Sequence, residues 1–402
     1  MKILVLNSGS SSLKFQLFAL PELTVTASGL IEKIGDTQSR AELTFLEGKS
    51  GEQTLERNEP IAEHRQAIMV MAELLRESGA MTDIEELAGI GHRVVHGGES
   101  FHQPVCIDDT VIAAIEKLIP LAPLHNPANL MGIRVAMEHA GTIPQVAVFD
   151  TAFHQSIPEH GYLYALPYTL YEQQKVRRYG FHGTSHGYVA GQAAHYLGKT
   201  GEDLNIITLH LGNGASAAAV QGGKCIYTSM GLTPLEGLIM GTRSGDLDPA
   251  ILFYLSRETG MDIDDLDTML NKESGLKGIC GENDMRTITD LADKGDKQAK
   301  LALTMFCYRL KKYIGAYMAA MGGVDCIVFT GGIGENSAVV RQMTCQGLER
   351  LGISLDAEKN RRREKNIIEI QAEKSSIKIL VVPTDEELEI ATQTLQVINN
   401  KN

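Results

Sequence analysis

Two stretches about half a chain apart share one pattern, and this repeat restricts the folds open to the chain. Residues 3–17 (ILVLNSGSSSLKFQL) and 206–220 (IITLHLGNGASAAAV) each run from an apolar segment through a turn of small residues into a second apolar segment. Such apolar runs are typical of strands buried on both faces, and glycine permits the tight turn. The spacing is too long for a solenoid repeat and favours a duplicated domain with one hairpin in each half.

The turn of the second hairpin, Gly212-Asn213-Gly214, has two interpretations. Its glycines leave backbone N–H groups open, and such groups can hold phosphate oxygens. An ordinary Asn-Gly hairpin fits the same residues. Two like hairpins in two like halves can face each other across a cleft, which is a common place for a ligand.

Composition narrows the function classes. The 402 residues suffice for two or three domains, and a net charge of −13 argues against a nucleic-acid-binding surface. The six cysteines include no CxxC pair, which argues against a zinc site and a disulfide framework. The first apolar run ends at Asn7, too short for a signal peptide, and no segment reaches membrane-spanning length. We therefore expect a reduced, soluble, cytoplasmic protein without nucleic-acid or membrane partners.

The order of the predicted elements indicates an α/β architecture of two similar domains. Further strands are predicted over residues 24–34, 42–46, 87–95, 146–150, 225–229, 324–330 and 377–382. Helices are predicted over residues 61–78, 108–119, 127–139, 249–259, 263–271, 296–321 and 386–398. Asn126 is the expected cap of one helix, and Thr184 or Ser185 the expected cap of another that ends near residue 197. Residues 47–59 are predicted to form an acidic, mobile connection.

Five charged residues stand where a site for anions is expected. Arg93 and Arg243 each lie in a glycine-rich loop with little local acid, so they are either solvated surface residues or anion clamps. Lys14 follows the first turn, as a solubilising residue or as one that reaches a phosphate oxygen. Asp150 ends an apolar strand and Glu386 opens the last helix. Either carboxylate fits a simple helix cap or a magnesium site that acts partly through water.

Two further patterns permit alternative interpretations. Residues 331–336 (GGIGEN) lie between a strand and a helix, as a crowded turn or as a loop that lets a nucleotide approach the helix N-terminus. His92 and His96, like His182 and His186, have the i, i+4 spacing of zinc ligands but lack the glutamate of an HExxH motif. Hydrogen-bond donation is the better interpretation of these histidines.

Taken together, these segments resemble the acetate kinase family across nearly the whole chain. The matching motifs are, in order, VLNSGSSSLKF, GHRVVHGGE, LAPLHNP, VFDTAFHQ, RRYGFHGTSH, HLGNGAS, MGTRSGDLDP and FTGGIGEN. The family belongs to the superfamily of acetate and sugar kinases, heat-shock ATPases and actin. The resemblance implies two domains of duplicated ribonuclease-H-like (actin-type ATPase) topology with an interdomain cleft, in agreement with the repeat.

The resemblance also implies residue roles. The metal positions are Asn7 and Glu386, and the nucleotide contacts are Lys14 with three loops: His210, Leu211, Gly212, Asn213 and Gly214; Asp284, Met285 and Arg286; and Gly332, Ile333, Gly334, Glu335 and Asn336. The catalytic set is Arg93 for the substrate carboxylate, Asp150 as the active-site acid, His182 and Arg243 for the transition state, and His125 nearby. The apolar substrate pocket is formed by Val95, Leu124, Phe181 and Pro234.

The expected activity is reversible, in-line transfer of the γ-phosphoryl group of ATP to acetate, giving acetyl phosphate and ADP with Mg²⁺ or Mn²⁺. Acetate is already an anion at pH 7, so the nucleophile needs no general base. Asp150 is therefore interpreted as an organiser of metal, water or arginine. The alternatives are a propionate or butyrate kinase, decided by pocket volume, and a nucleotide-gated scaffold of the actin or heat-shock type.

The resemblance predicts how the chain is divided. Residues 1–150, completed by 384–402, are expected to form an N-terminal acetokinase domain, and residues 151–383 a nucleotide-binding domain. Asn7 and Glu386 can share a metal only if the terminal strand and helix return to the first domain. Asp385 replaces an asparagine common in the family, and we interpret it as a spare acid facing away from the metal. A homodimer is expected, with the apolar helix near 305–321 serving either the dimer or the core.

Overall fold

The structure is a computed structural model that describes residues 1–46, 51–123 and 125–401. The chain divides into two compact units, and each contains one β-sheet with helices packed on it. Unit 1 comprises Met1–Ala152 and Asp385–Asn402, and unit 2 comprises Phe153–Thr384. The predicted α/β class is confirmed.

Unit 1 contains an eight-stranded sheet. Its strands are β1 (Lys2–Ser8), β2 (Ser12–Ala19), β3 (Thr24–Glu32), β4 (Ser39–Leu46), β5 (Glu52–Glu59), β6 (Leu87–Val94), β7 (Val105–Cys106) and β8 (Gln145–Phe149). Its helices are α1 (His64–Glu77), α2 (Asp109–Lys117), α3 (Asn126–His139) and the C-terminal α15 (Glu386–Lys401), with 3₁₀ turns at Ile84–Glu86 and Ile119–Leu121. The strand order is β5-β4-β3-β2-β1-β6-β8-β7.

Alternation along β1 distributes its side chains between two cores. Leu4 and Leu6 pack in a cluster that also contains α1 and α3 residues. Ile3 and Val5 pack with Ile390 and with other residues of α15. Because successive strand residues point to opposite faces, the sheet is covered by helices on both sides.

Unit 2 contains a six-stranded sheet. Its strands are β9 (Asn205–Leu211), β10 (Ala215–Gln221), β11 (Lys224–Thr228), β12 (Cys326–Thr330), β13 (Ile368–Glu369) and β14 (Lys378–Val381). Its helices are α4 (Glu159–Tyr162), α5 (Tyr168–Gln174), α6 (Gly183–Tyr196), α7 (Ala250–Thr259), α8 (Ile263–Thr268), α9 (Gly275–Cys280), α10 (Met285–Asp293), α11 (Lys297–Met321), α12 (Gly331–Asn336), α13 (Ala338–Cys345) and α14 (Ala357–Arg361). A π-helical turn follows α8 at Met269–Glu273, and 3₁₀ turns lie at Gly201–Asp203 and Glu349–Leu351.

The two sheets share one topology. In unit 1, β3-β2-β1 are antiparallel neighbours, and β6 and β8 continue the sheet parallel to β1. In unit 2, β11-β10-β9 are antiparallel neighbours, and β12 and β14 continue parallel to β9. The repeated hairpins are β1–β2 and β9–β10, so the predicted duplication is confirmed at the level of topology.

Four local predictions are wrong. The predicted connection 47–59 contains the strand β5, which pairs with β4 at the sheet edge, while residues 47–50 lie outside the described part of the chain. Asn126 does not cap α3, because it is the first helical residue and its side chain bonds the backbone of His96. Neither Thr184 nor Ser185 caps α6, whose N-cap position is His182. The last strand, β14, lies in the sheet of unit 2. Of the terminal strand and helix, only the helix α15 therefore belongs to unit 1.

Candidate functional site

Three predicted site residues of unit 1 form one hydrogen-bonded group. Arg93 Nη2 donates to Asp150 Oδ2 at 2.6 Å, and Nε lies 3.1 Å from both carboxylate oxygens of Asp150. Arg93 Nη1 donates to Asn7 Oδ1 at 3.3 Å. The sequence around Arg93 offers little local acid, and its partner in the structure lies 57 residues away in the sequence.

The sheet explains why these residues meet. β1, β6 and β8 are parallel neighbours, so their carboxyl ends lie at one edge. Asn7 lies near the end of β1, Arg93 lies near the end of β6, and Asp150 follows β8 directly. Asp150 is almost fully buried, and a buried carboxylate requires a charged or hydrogen-bonded partner, which Arg93 supplies. Burial by itself lowers the pKa of Arg93. The negative charges of Asp150 and Glu386 outweigh this effect, so the pKa of Arg93 lies above its usual value.

The first turn of α15 adds two carboxylates to this group. Burial raises the pKa of Glu386 to about 7. The charge of Asp150 adds to this rise, and the charge of Arg93 opposes it. Glu387, which the sequence analysis missed, is buried and pairs with Lys14 Nζ at 2.8 Å. Asp150, Glu386 and Glu387 thus share this group with the cations of Arg93 and Lys14. Asp385 Oδ1 accepts the backbone N–H of Leu388 at 2.9 Å, so this residue caps α15.

The donor set of unit 1 fits a divalent cation that keeps several waters. Among the residues that the structure describes, no three His, Cys, Asp or Glu side chains form a metal-binding group. Mg²⁺ usually takes only one or two protein carboxylates and completes its shell with water and phosphate oxygens, so it does not need such a group. The raised pKa of Glu386, which is buried near Asp150 and Glu387, indicates a carboxylate that gains from a nearby cation.

The segment after β6 is fixed by asparagines of α3. Asn129 Oδ1 accepts the N–H of Val95 at 3.0 Å, and its amide nitrogen donates to the carbonyl of Ser8 at 2.7 Å. His125, half-buried, immediately precedes α3, and Leu124 lies outside the described residues. The sequence analysis missed this support, although the pattern HNPAN at residues 125–129 contains both asparagines.

In unit 2, the turn of the second hairpin meets the loop that carries Arg243. Gly241 donates its backbone N–H to the carbonyl of Asn213 at 2.9 Å. Arg243 Nη1 donates to the carbonyl of Pro234 at 2.6 Å, and burial lowers the pKa of Arg243. A Cβ added to Gly214 would lie 3.0 Å from Arg243 Nη2 and 3.5 Å from His182 Nε2. The structure therefore places the arginine and the histidine at the same glycine turn.

His182 is held in a strained conformation. Its φ of 56° and ψ of 25° lie in the left-handed region, which costs a residue with a Cβ roughly 1–3 kcal/mol. Its Nδ1 lies 2.9 Å from Ser216 Oγ, and its ring stacks on His210 at 4.3 Å between centroids. Ser185 Oγ, which is not a cap, lies 2.8 Å from His210 Nδ1. Both predicted histidines are thus oriented by buried hydroxyl groups.

The GGIGEN segment forms α12 at the carboxyl end of β12, next to the end of β9. Gly331 has a φ of +75°, and a Cβ there would lie 2.8 Å from the carbonyl oxygen of Leu211. Glu335 Oε1 accepts the N–H of Gly331 at 2.9 Å. Arg341, fully buried and missed by the sequence analysis, donates from Nη1 to the carbonyls of Gly334 and Glu335, each at 2.8 Å.

The remaining predicted residues lie as follows. Asp284 caps α10, and its ion pair with Arg286 holds the pKa of Asp284 at about 2. Gly332 and Asn336 are exposed on α12. Val95 belongs to unit 1, whereas Phe181 and Pro234 belong to unit 2, so their grouping into one pocket stays a prediction.

Comparisons with known proteins agree along the whole chain. Residues 2–392 match a family described as "Acetokinase family". The chain is 56% identical over 399 residues to an acetate kinase of Syntrophobacter fumaroxidans, covering 99% of this chain and 97% of the relative. It is similar to the crystal structure of Porphyromonas gingivalis acetate kinase, with 46% identity, a TM-score of 0.93 and 99% of each chain covered. A propionate kinase from Francisella tularensis shares 43% identity with a TM-score of 0.91, covering 98% of this chain and 99% of that one.

Proposed function

The chain belongs to the acetokinase family, and from that premise we propose that it transfers the γ-phosphoryl group of ATP reversibly to acetate. An acetate oxygen forms a bond to the γ-phosphorus while the bond to the β,γ-bridging oxygen breaks, and ADP leaves with that electron pair. The observation that carries the proposal is the buried Arg93–Asp150 pair. It presents a fixed guanidinium, which suits the planar carboxylate of a small acid.

In this mechanism Asp150 is not a base. Acetate is already ionised, and both Nε and Nη2 of Arg93 are held by Asp150, so the carboxylate fixes the plane of the guanidinium. Arg243 and His182 face the transferring group and stabilise the charge that develops on its oxygens, the arginine by its charge and the histidine by a hydrogen bond. The turn at Gly212–Gly214 and the helix α12 bind the phosphates and the ribose of the nucleotide. The glycines at both places let the ligand approach the backbone closely.

Mg²⁺ is the cofactor that we assign to unit 1. Glu386 and Asn7 would hold it, with Asp150 reaching it through water. When bound, the cation neutralises negative charge on the nucleotide phosphates. This chain's own contribution is the placement of Glu386 by α15 and of Asn7 by β1, with Arg93 bonded to both Asn7 and Asp150.

Trapping of the acyl phosphate tests the function. The protein with Mg-ATP and acetate should give acetyl hydroxamate when hydroxylamine is present, and propionate should be a poorer substrate. One extra methylene in an apolar pocket discriminates by about 1–3 kcal/mol. Val95→Ala should shift the acetate-to-propionate ratio, and Val339→Ala, at an exposed residue of α13, is its control. If acetate gives no acyl phosphate while propionate or butyrate does, the substrate assignment is wrong.

We also propose a homodimer that uses the exposed stripe of α11. Leu301, Met305 and Tyr308 are exposed at i, i+4 and i+7, so they lie on one face of the helix. Light scattering should give twice the chain mass, and Tyr308→Glu should give the monomer. Tyr196→Glu, at an exposed residue of α6, is the control. A monomeric wild-type chain would contradict the proposal.

The cytoplasm is the compartment that we assign. All six cysteines are free, which fits a reducing compartment, and ATP is available there. Across the described residues, none of the helices combines the length and the apolar character that a membrane crossing needs.

A further inference from the structure

A chain of hydrogen-bonding side chains runs from His182 into the interior of unit 2. His182 Nδ1 lies 2.9 Å from Ser216 Oγ, and the same oxygen lies 2.7 Å from His186 Nε2. His186 Nδ1 lies 2.7 Å from Thr208 Oγ1. Ser216, His186 and Thr208 are fully buried. Water therefore does not compete for these contacts.

The local fold brings these four residues together. His182 and His186 lie one turn apart at the start of α6, so both rings reach the same side of the helix. Ser216 on β10 is paired with His210 on β9, two residues beyond Thr208, so Ser216 and Thr208 lie on the same face of the hairpin. The hydroxyl of Ser216 thus bridges the two imidazoles.

The number of protons limits how these bonds are arranged. Burial lowers the pKa of His186 well below its usual value, with His154 and His210 adding to the effect, so His186 is neutral and has one N–H. Each hydroxyl also has one proton to donate. When each hydroxyl and each neutral imidazole both donates and accepts within this chain of contacts, the three bonds run head to tail, either all toward His182 or all away from it. When they run toward His182, Ser216 donates to Nδ1 and a neutral His182 has its proton on Nε2.

The neighbouring cation favours a neutral His182. Arg243 Nη2 and His182 Nε2 lie 3.0 Å and 3.5 Å from one point, the position of a Cβ on Gly214. A second positive charge there is unfavourable, so a neutral histidine is the better neighbour for the arginine. A neutral imidazole donates from Nε2 only in the tautomer whose Nδ1 is unprotonated, and a hydrogen bond donated to Nδ1 stabilises that tautomer. Ser216 is placed to supply that bond.

We propose that Ser216, His186 and Thr208 are positioning residues that hold His182 in its neutral, Nε2-protonated form. In that form His182 donates a hydrogen bond to an oxygen of the transferring phosphoryl group without adding charge beside Arg243. The inference rests on the proposed function, because it assigns a use to Nε2. The tautomer itself is measurable without turnover.

Kinetics of matched variants test the relay. Ser216→Ala removes the bridging hydroxyl and should lower kcat about tenfold or more, while KM for ATP and for acetate changes little. Thr208→Val keeps the side-chain shape, breaks the far end of the chain and should lower kcat in the same direction. Thr228→Val is the control, because Thr228 is equally buried on the adjacent strand and donates only to the carbonyl of Ala217. Equal kcat values in Ser216→Ala and Thr228→Val would overturn the proposal.

The tautomer of His182 provides a readout that a purely structural role would not change. Two-bond ¹H–¹⁵N spectra of the histidine-labelled full chain distinguish protonation at Nε2 from protonation at Nδ1, and His182→Gln identifies the signal. The wild type and Thr228→Val should show His182 protonated at Nε2, and Ser216→Ala should populate the Nδ1 form. An unchanged tautomer in Ser216→Ala overturns the relay. Absence of acyl phosphate in the wild type would overturn the proposed function instead, and the spectra would still decide the relay.

Discussion

At the scale of single residues, the two arginines differ in how they are held. Arg93 is fixed by a buried carboxylate, whereas Arg243 is held by the carbonyl of Pro234. Among the residues that the structure describes, no carboxylate pairs with Arg243 in a salt bridge. Its charge is therefore not neutralised within unit 2 and is available to an anionic ligand. Because burial removes water from the guanidinium without supplying a paired carboxylate, it lowers the pKa of Arg243.

Arg243→Ala should lower kcat by at least about a hundredfold, because that is the usual cost of losing one preorganised charge-stabilising donor. Arg243→Lys should recover little of this loss, since a lysine cannot reproduce the planar guanidinium. Hydroxamate formation measures kcat, and thermal unfolding shows whether the variant is folded. Arg257→Ala on the exposed face of α7 is the control. A folded Arg243→Ala with near-normal turnover would contradict the role assigned to this arginine.

Buried histidines of unit 1 predict a pH dependence of stability. Burial lowers the pKa of His92 to about 4, although the bond from its ring to Gln145 opposes the shift. Between pH 6.5 and pH 4 the unfolded chain therefore binds a proton that the folded chain does not, so stability is present above pH 6.5 and is lost as the pH falls. When the pH falls from 7 to 5, this histidine therefore lowers the free energy of unfolding by about 2 kcal/mol.

His92→Gln should remove that part of the dependence. Urea unfolding at pH 7 and pH 5 should give a loss of free energy of unfolding about 2 kcal/mol smaller in the variant than in the wild type. His139→Gln, which removes an exposed histidine, controls for the loss of a titrating group elsewhere on unit 1. Equal losses in the wild type and His92→Gln would show that His92 does not supply this dependence.

At the scale of elements, sequence periodicity predicted the hairpins because β1, β2, β9 and β10 are rich in apolar residues. It missed β5 because the segment EQTLERNE is exposed at the sheet edge and has little apolar periodicity to detect. It also missed the Arg93–Asp150 pair, since proximity there arises from the parallel pairing of β6 with β8. The left-handed His182 has no sequence signature at all, because its conformation is fixed by tertiary bonds.

The start of α12 gives a test with a built-in control. Gly331 has a positive φ and would place a Cβ against the backbone of Leu211, whereas Gly332 has no atom within 4 Å of such a Cβ. Gly331→Ala should therefore destabilise the chain by roughly 1–3 kcal/mol. Gly332→Ala should leave stability unchanged or raise it by up to about 1 kcal/mol, since alanine favours a helix. Equal midpoints of unfolding in both variants would contradict this description of α12.

The first turn of α15 predicts how metal dependence is distributed. Asp385 is occupied as the cap of the helix, and asparagine caps equally well, so Asp385→Asn should hardly change the Mg²⁺ concentration for half-maximal rate. Glu386→Ala removes the carboxylate assigned to the metal and should raise that concentration sharply. Magnesium titrations at fixed ATP measure both. A large shift for Asp385→Asn would overturn the assignment of Asp385 as a spare acid.

At the scale of the whole molecule, the last residues of the chain complete the first unit. Ile390 and Ala391 of α15 are fully buried in unit 1. Gly89 and Gly91 on β6 allow this packing, because a Cβ on either would collide with Ile398 or Ile390. Sequence reasoning reached the return of the helix only through the family resemblance. The glycines themselves carry the physical reason, but two glycines in a strand do not say which helix covers them.

This arrangement predicts unequal behaviour of two fragments. Residues 153–384 form a continuous unit with its own sheet and should unfold cooperatively alone. Residues 1–152 lack α15, so the apolar face that includes Ile3 and Val146 is uncovered, and this fragment should unfold without a cooperative transition.

Adding a peptide of residues 385–402 at a hundred times its Kd should stabilise the fragment by about 2.7 kcal/mol and restore the transition in circular dichroism. The same peptide with Ile390→Lys is the control and should have no effect, since a lysine cannot fill a fully buried apolar site. Cooperative unfolding of residues 1–152 with a midpoint that the native peptide does not move would show that α15 is dispensable for this fold.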